Sequence, residues 1–364
     1  MIALLPLDDY TLRVVALGAA TLGVVAGALG TFAVLRRQAL VGDAISHAAL
    51  PGIALAYLVT GGKASLPLMI GAALTGFLAV LLVSAVVRTT RVRQDAGLGI
   101  WLAVFFGAGL VLLTYLQRRP DASQAGLDRF LFGQAATLLE EDVVTMAVAG
   151  VLALATLALL WKEVKILSFD PELGATLGLP MRLVDVVLTG LLVVAIVIGL
   201  QTVGAVLMAA MIVAPAAAAR QWTDRLGVMT ILASVLGALA GVLGALASAE
   251  VSRLPTGPTI VVIATALVAL SLLGAPRRGL VARALAARRA RRRLGPAQVL
   301  ADLDQLERLH GAATQGHHAA TIAALERVDV GPALAELERR GLVERREGDL
   351  WALTERGREE AARR

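Results

Sequence analysis

The chain has 364 residues, of which 57% are hydrophobic and 17% charged, and its mean hydropathy is +0.76. These values exclude an ordinary soluble globular protein and are typical of a polytopic membrane protein. Cysteine is absent, which excludes disulfides and thiolate metal ligands. The net charge of +6 is unevenly distributed, because the apolar runs stop near Gly274 and the remaining residues are polar.

The apolar runs predict an all-α polytopic membrane domain over residues 1–276, with eight or nine transmembrane helices. Most runs reach the ~20 residues that a membrane-spanning helix needs. Two runs are short and interrupted by Pro51 and Pro215, and transporters often place their binding sites in such broken segments. If one of these two is re-entrant, eight spans remain. The nine runs are 11–35, 46–62, 66–87, 97–116, 142–161, 183–200, 203–219, 226–249 and 258–274.

The distribution of Lys and Arg predicts the orientation of the membrane domain. With the N-terminus outside, twelve basic residues lie on the inner side of the membrane and six on the outer side. Cytoplasmic loops are enriched in Lys and Arg, so we expect the N-terminus outside and the C-terminus in the cytoplasm. Two patterns of small residues, at Gly23–Gly27 and Gly237–Gly241, predict ordinary close helix packing rather than a specific dimer interface.

Asp43 and His47 are candidate metal ligands. They lie four residues apart in an apolar stretch, and His47 is the only one of the four histidines in the apolar region. Positions i and i+4 share a helix face, and a carboxylate inside a membrane costs about 2.5–3.5 kcal/mol. Manganese, iron(II) and zinc accept imidazole and carboxylate ligands. The alternative is a purely structural hydrogen-bonded pair. Ser46 is adjacent, and Met208 and Met211 are better explained as core residues than as ligands.

The polar interruption between Ser168 and Pro180 predicts a short helix on the cytoplasmic side. Asp170 is a good N-cap, Pro171 fits the first helical position and Gly178 fits the end. A helix of two turns at this place can dock into a groove on a partner protein; the alternative is a plain surface loop.

The sequence contains no phosphate-binding motif for ATP. Gly61-Gly62-Lys63-Ala64 lacks both the spacing and the hydroxyl of a Gly-x-x-x-x-Gly-Lys-Ser/Thr loop. If transport is driven by ATP, the ATPase is therefore a separate subunit.

The stretch from Leu35 to Gly52, with Gly-Asp-Ala-Ile-Ser-His-Ala-Ala-Leu-Pro-Gly at its end, resembles the signature of permease subunits of manganese/zinc/iron ABC importers. Other stretches are similar to elements of that family, and together the resemblance covers about residues 10–275. These stretches are Phe130–Gly133 (an extracellular segment), Asp170–Pro180 (the coupling helix), Gln201–Leu207 with Pro215, and Pro255–Ile260.

The resemblance implies a permease subunit of a prokaryotic cytoplasmic membrane, not an enzyme. It implies no permanently bound cofactor, since the divalent manganese, zinc or iron is the transported substrate. Its partners would be a dimer of ATP-binding subunits, an extracytoplasmic metal-binding protein and a second permease, either a second copy or a paralogue. Asp43 and His47 would line the metal pathway. The residues that would couple to the ATPase are Asp170, Pro171, Glu172, Leu173, Gly174, Leu177 and Gly178.

Two polar segments follow the membrane domain. Residues 277–295 form a basic linker, which we expect to bind anionic lipid. Residues 296–364 predict a cytosolic winged-helix domain, with helices at 297–309, 317–327 and 330–340, strands at 342–346 and 350–353, and a last helix capped by Thr354. The domain is similar to the DNA-binding domain of diphtheria-toxin-repressor-like metalloregulators. Its ten arginines and thirteen carboxylates give a charge of −3, so DNA is an improbable partner.

Two other functions fit parts of the sequence. A secondary, ion-coupled metal transporter would use Asp43 and His47 but would not need a docking helix after Asp170. A membrane-anchored metal-responsive regulator would use the C-terminal domain, which would then need a basic face for DNA.

Overall fold

The computed structural model describes residues 9–62, 65–118, 133, 138–251, 254–276, 279–284, 295–310, 317–319, 321–322, 330–346 and 350–362. The chain divides into two compact units, Met1–Gly279 and Leu280–Arg364. Each unit has a hydrophobic core of its own.

The described part of the first unit is entirely helical apart from its turns. Apolar side chains of α1, α2, α8 and α9 form the centre of its core. The helices are α1 (Tyr10–Leu35), α2 (Ala39–Thr60), α3 (Ser65–Thr89), α4 (Gln94–Gln117), α5 (Glu140–Leu159), α6 (Trp161–Phe169), α7 (Pro171–Thr176), α8 (Met181–Thr202), α9 (Ala205–Trp222), α10 (Leu226–Glu250) and α11 (Thr256–Gly274).

Eight of the described helices are long and apolar enough to cross a membrane: α1 to α5, α8, α10 and α11. This confirms the predicted all-α polytopic membrane protein. The helix α9 has 18 residues and does not belong to this set. It lies in the core of the unit, where Met208 and Met211 are fully buried, as expected for core residues.

One prediction about α2 was wrong. The apolar run at 46–62 predicted a short, broken segment, but α2 is a continuous helix of 22 residues with Pro51 inside it. The helix begins at Ala39, because residues 39–45, before the apolar run, are helical as well. Pro51 is tolerated because neighbouring helices can satisfy a backbone carbonyl that a proline leaves free. Asp43 and His47 therefore lie in the second and third turns of α2.

Close packing of α1 against α10 accounts for both small-residue patterns. A Cβ atom added to Gly23 would lie 2.1 Å from the carbonyl oxygen of Gly237, and one added to Gly27 would lie 2.3 Å from that of Ala233. The two helix backbones are thus in direct contact within one chain, as in other membrane helix pairs with small residues at the crossing.

The second unit combines helices with a small sheet. Its three antiparallel strands have the order β1-β3-β2, with His317 opposite Trp351 and Val343 opposite Leu353. Thr354 caps the last helix, since its Oγ1 accepts from the backbone N–H of Gly357 at 3.1 Å. The elements are α12 (Pro296–His310), β1 (His317–His318), α13 (Gly331–Arg339), β2 (Val343–Arg346), β3 (Leu350–Leu353) and α14 (Glu355–Ala362).

The predicted helix at 317–327 was wrong at its start. His317 and His318 form β1 and pair with Trp351 and Leu350 of β3. Two histidines in sequence carry no strand pattern, and the pairing partner lies more than thirty residues away. Residues 347–349, between the two predicted strands, and most of the basic linker lie outside the described residues, as do Phe130–Phe132 of the predicted extracellular segment.

Candidate functional site

The structure brings Asp43 and His47 together on one face of α2. The distance from Oδ1 of Asp43 to Nε2 of His47 is 3.3 Å. The side chain of His47 is 14% exposed and that of Asp43 is 35% exposed. The pair thus combines a nearly buried imidazole with a carboxylate that solvent or an ion can still reach.

The second ring nitrogen of His47 is available to another ligand. Its Nδ1 is buried and, among the described residues, has no hydrogen-bond partner. Phe106 of α4 packs edge-on against the ring, with centroids 4.7 Å apart and planes at 73°. Buried ring nitrogens are normally paired, so a metal ion or a water molecule at this nitrogen would remove a cost that the apolar wall creates.

Ser46, next to the pair in sequence, is occupied elsewhere. It is fully buried, and its Oγ donates a hydrogen bond to the carbonyl oxygen of Gly42 at 2.8 Å. A serine bonded back to the preceding helical turn is a common way to satisfy a hydroxyl inside a membrane helix. The structure therefore gives Ser46 a role within α2.

Two ligands do not fill the coordination shell of a transition metal ion. No group of three or more His, Cys, Asp or Glu side chains occurs within the described ranges. Further ligands must come from water, backbone oxygens, other residue types or a second chain.

Short-range contacts hold α2 in place between its neighbours. A Cβ atom added to Gly52 would lie 2.1 Å from the carbonyl oxygen of Gly71 on α3. On the α4 side, a Cβ atom added to Gly109 would lie 2.8 Å from Cβ of Leu50. These contacts lie one to two turns beyond His47, so Asp43 and His47 lie next to a tightly packed part of the helix.

The predicted short helix between two membrane helices is α7. The Asp170 side chain accepts from the backbone N–H of Leu173 at 3.0 Å, and Pro171 occupies the first turn. Gly178 ends the element with a φ of +77°, a left-handed conformation that favours glycine. The N-cap and the C-terminal glycine predicted from the sequence are thus both present in the structure.

The exposed surface of α7 and of the residues next to it is largely apolar. Leu173 and Leu177 are 50% and 63% exposed, and Phe169, just before the helix, is also exposed. Gly174 is buried instead: a Cβ atom there would lie 2.5 Å from Sδ of Met181 and 2.9 Å from Cγ2 of Ile166. Gly174, which the resemblance places among the coupling residues, therefore does not lie on the exposed face of α7, and the exposed docking candidates are the leucines.

Sequence reasoning missed an ion pair between Arg36 and Asp185. Asp185 lies near the start of α8. The structure joins its Oδ1 to Nη2 of Arg36, with side chains only 29% and 14% exposed. The two residues are 149 positions apart, so no local pattern points to the contact.

Comparisons with a family model and with similar proteins agree on one family. Residues 8–275 match the model of the ABC 3 transport family. The zinc transport system membrane protein TroC of Treponema pallidum (strain Nichols) is 46% identical over 274 residues, covering 75% of this chain and 92% of that protein. The manganese transport system membrane protein MntC of Bacillus subtilis (strain 168) is 41% identical over 345 residues, covering 93% of this chain and 78% of that protein.

A solved structure described as PsaBC from Streptococcus pneumoniae in complex with Fab contains a similar chain. It is 31% identical and superposes with a TM-score of 0.67, covering 75% of this chain and 94% of that one. The alignment with MntC, at 93% of this chain, extends beyond the first unit into the second. Since the family match spans the membrane helices and the residues around Asp43 and His47, this chain belongs to the ABC 3 transport family.

Proposed function

We propose that this chain is the permease subunit of an ATP-driven importer of a divalent transition metal, with Asp43 and His47 in the metal pathway. The observation that carries the proposal is the 3.3 Å approach of a carboxylate oxygen and an imidazole nitrogen on one face of a packed membrane helix. Manganese, zinc and iron(II) accept this ligand pair, and the similar proteins TroC and MntC are named for zinc and manganese transport.

A second permease would complete the metal site. The described part of one chain supplies only two of the ligands that a metal ion needs. Two copies of this chain, or this chain and a paralogue, would bring two such pairs to one axis and supply four ligands. Water would fill any remaining position, which leaves the site weak enough to release the ion.

The helix α7 supports the ATP-driven mechanism. A short, well-capped helix between two membrane helices, with Leu173 and Leu177 exposed, is suited to a groove on an ATP-binding subunit. A secondary transporter has no use for such a helix, and family membership also argues against one. ATP would be bound and split on the partner, and an extracytoplasmic metal-binding protein would deliver the ion from the opposite side.

The orientation follows from the same role. The helix α7 must face the cytoplasm, where ATP is available. Five membrane helices precede α7, so a cytoplasmic α7 puts the N-terminus on the outer side of the cytoplasmic membrane of a prokaryote. Eight crossings would leave the C-terminal unit outside as well, so its cytoplasmic location, which the distribution of Lys and Arg favours, requires α9 to make a ninth crossing. The basic linker at 277–295 would then lie near anionic lipid headgroups.

Metal uptake by ligand variants tests the proposal. Asp43→Asn keeps the size of the side chain and removes its charge, and His47→Ala removes the imidazole. Each is expected to lower metal uptake by the assembled complex at least tenfold, since changes even in groups that only support ligands cost about 10–100-fold in affinity.

Ser46→Ala is the matched control, because it lies between the two ligands and its hydroxyl is bonded to the backbone. We expect it to transport normally. Normal uptake by both ligand variants, at normal expression and with the ATPase bound, would refute the assignment. Competition between manganese and zinc in the same assay would identify the preferred metal.

We further propose that the second unit is a winged-helix domain that serves as a cytosolic interaction module rather than a DNA-binding domain. The arginines of α13, the helix that would enter the major groove, are already paired. Glu336 accepts from both Arg339 and Arg340. The hydrogen bond from Arg340 and the nearby charge of Arg339 lower the pKa of the Glu336 carboxyl, so the carboxylate that accepts from both arginines is ionised at physiological pH.

Arginines elsewhere in the unit are engaged in the same way. Arg346 pairs with Glu344 on β2, and the Arg358 guanidinium donates to Glu307 at 2.9 Å. Affinity for DNA depends on cations that are available to phosphates. The local pairing therefore adds to the repulsion expected from a net charge of −3.

Fluorescence anisotropy of residues 296–364 with duplex DNA at physiological salt tests this proposal. The unit has its own hydrophobic core and is expected to fold alone. We expect no sequence-specific binding, with or without manganese or zinc. The variant Glu336→Gln, which frees two arginines, is a control expected to bind more tightly. Specific binding by the wild-type unit below about 1 µM would instead support a membrane-anchored regulator.

A further inference from the structure

The ion pair between Arg36 and Asp185 joins two parts of the first unit that the proposed function keeps separate. Arg36 directly follows α1, in the turn that leads to α2, and Asp185 lies near the start of α8. Nη1 of Arg36 is buried and has no hydrogen-bond partner within the described ranges. Asp185 is therefore the group that compensates this nearly buried charge.

On one side, the pair is connected to the docking helix. Gly174 of α7 packs so tightly against Met181 that an added Cβ atom would lie 2.5 Å from its sulfur. Met181 is the first residue of α8, and Asp185 follows it four positions later, on the same helix face. A displacement of α7 would therefore move the first turn of α8 and the carboxylate that it carries.

On the other side, the pair is connected to the metal-binding helix. The turn from α1 to α2 contains only Arg36, Arg37 and Gln38. It is fixed by hydrogen bonds from the N–H of Arg36 to the carbonyl of Phe32 at 2.9 Å and from the N–H of Gln38 to that of Ala33 at 2.8 Å. The backbone of Arg37 has a φ of +57°, which is uncommon for a residue other than glycine. Such a turn has little freedom to absorb a movement.

A movement of Arg36 is therefore expected to move the start of α2 as well. Ala39 begins the helix, and Asp43 and His47 lie one and two turns further on. At a rise of about 1.5 Å per residue, they are roughly 6 and 12 Å from that start along the helix axis. Packed contacts and short segments of chain thus connect Gly174 of α7, through Met181, Asp185 and Arg36, to the start of the helix that carries Asp43 and His47.

We propose that Arg36 and Asp185 are positioning residues that transmit the movement of α7 to α2, and so couple the ATPase to the metal site. The inference rests on the proposed function. The ion pair is suited to this role because a nearly buried pair resists separation, whereas an exposed one contributes little. Neither residue contacts the metal ligands, so their loss affects transport without removing the site.

The test uses the assembled complex with its ATP-binding subunits in proteoliposomes. ATP hydrolysis and manganese uptake are measured together, and the reported quantity is metal ions transported per ATP. Asp185→Asn, which is nearly isosteric, is expected to hydrolyse ATP but to lower this ratio at least tenfold. The double variant Arg36→Asp with Asp185→Arg restores an opposite pair and is expected to recover most of the ratio.

Glu140→Gln is the matched control. Glu140 of α5 also pairs with an arginine, Arg13 in the first turn of α1, but at 3.9 Å and with both side chains exposed. The same carboxylate-to-amide change there is expected to leave the ratio unchanged.

An unchanged ratio in Asp185→Asn would overturn the proposal. So would a double variant that assembles but does not recover transport. Failure of both variants to assemble would also count against it, because the pair would then serve folding alone. Failure of the proposed function is distinguishable: wild-type complex would then show no ATP-driven manganese uptake, or Asp43→Asn would not reduce it.

Discussion

The contact between α1 and α10 predicts that one added methyl group, at Gly23, destabilises the folded chain. Gly23 and Gly237 face each other, and a Cβ atom added to either would lie 2.1 Å from the carbonyl oxygen of the other. That atom is backbone and cannot move aside as the end of a side chain can. Gly23→Ala must therefore push the two helices apart.

The size of the effect follows from the distances. An ordinary contact between a carbon and another heavy atom is about 3.5 Å, so the backbones must separate by roughly 1.4 Å at the crossing. Such overpacking costs about 1–3 kcal/mol. The gain in helix propensity from Gly to Ala, about 0.5–1 kcal/mol, partly offsets it. The separation would also weaken the neighbouring contact of Gly27 with Ala233, so we expect a net destabilisation of about 1–2 kcal/mol.

Thermal unfolding of the purified full chain in detergent is the assay, with Gly107→Ala as the control. Gly107 lies inside α4, and no atom is within 4 Å of an added Cβ. The control carries the same propensity gain without the clash, so it should unfold at or slightly above the wild-type temperature. Gly23→Ala should unfold several degrees lower, and equal unfolding temperatures for the two variants would refute the account of the packing.

Two further predictions concern the docking helix and the second unit. Leu173→Asp should leave the chain folded, because the side chain is half exposed, but should abolish co-purification of the ATP-binding subunit. The control Leu139→Asp changes a leucine that is more exposed, before α5 on the opposite side of the membrane domain, and should retain the subunit. Retention by both variants would contradict docking at α7. Glu307→Gln should destabilise the second unit by about 1–3 kcal/mol, because the carboxylate accepts from the N–H of Leu353 and from Arg358. Urea denaturation of residues 296–364 measures this, and an unchanged midpoint would contradict it.

Features that depend on neighbouring residues were predictable from the sequence. Hydrophobic runs give the membrane helices because a span needs its apolar residues in one continuous segment. The cap at Asp170, the proline after it and the glycine at 178 each act within one or two turns, so α7 was predicted almost to its ends. Asp43 and His47 share a face because of helix geometry alone.

Features that depend on distant residues were not predictable in this way. His317 and His318 form a strand because β3 lies beside them, not because of any pattern in two histidines. Gly174 looks like an exposed helix residue until Met181 and Ile166 are placed around it. The pairing of Arg36 with Asp185 requires three helices to be assembled before the two charges can meet.

The distinction between local and distant features bears on how an importer of this kind would work. The proposed metal ligands and the proposed docking helix are each encoded locally, so either could be recognised in an isolated segment. Their connection through Met181, Asp185 and Arg36 exists only in the folded unit. A chain that keeps both local motifs but loses the connection would bind metal and ATPase and still fail to transport. The residues between the two motifs are therefore the ones in which to look for the coupling, and Asp185→Asn separates binding from transport at that point.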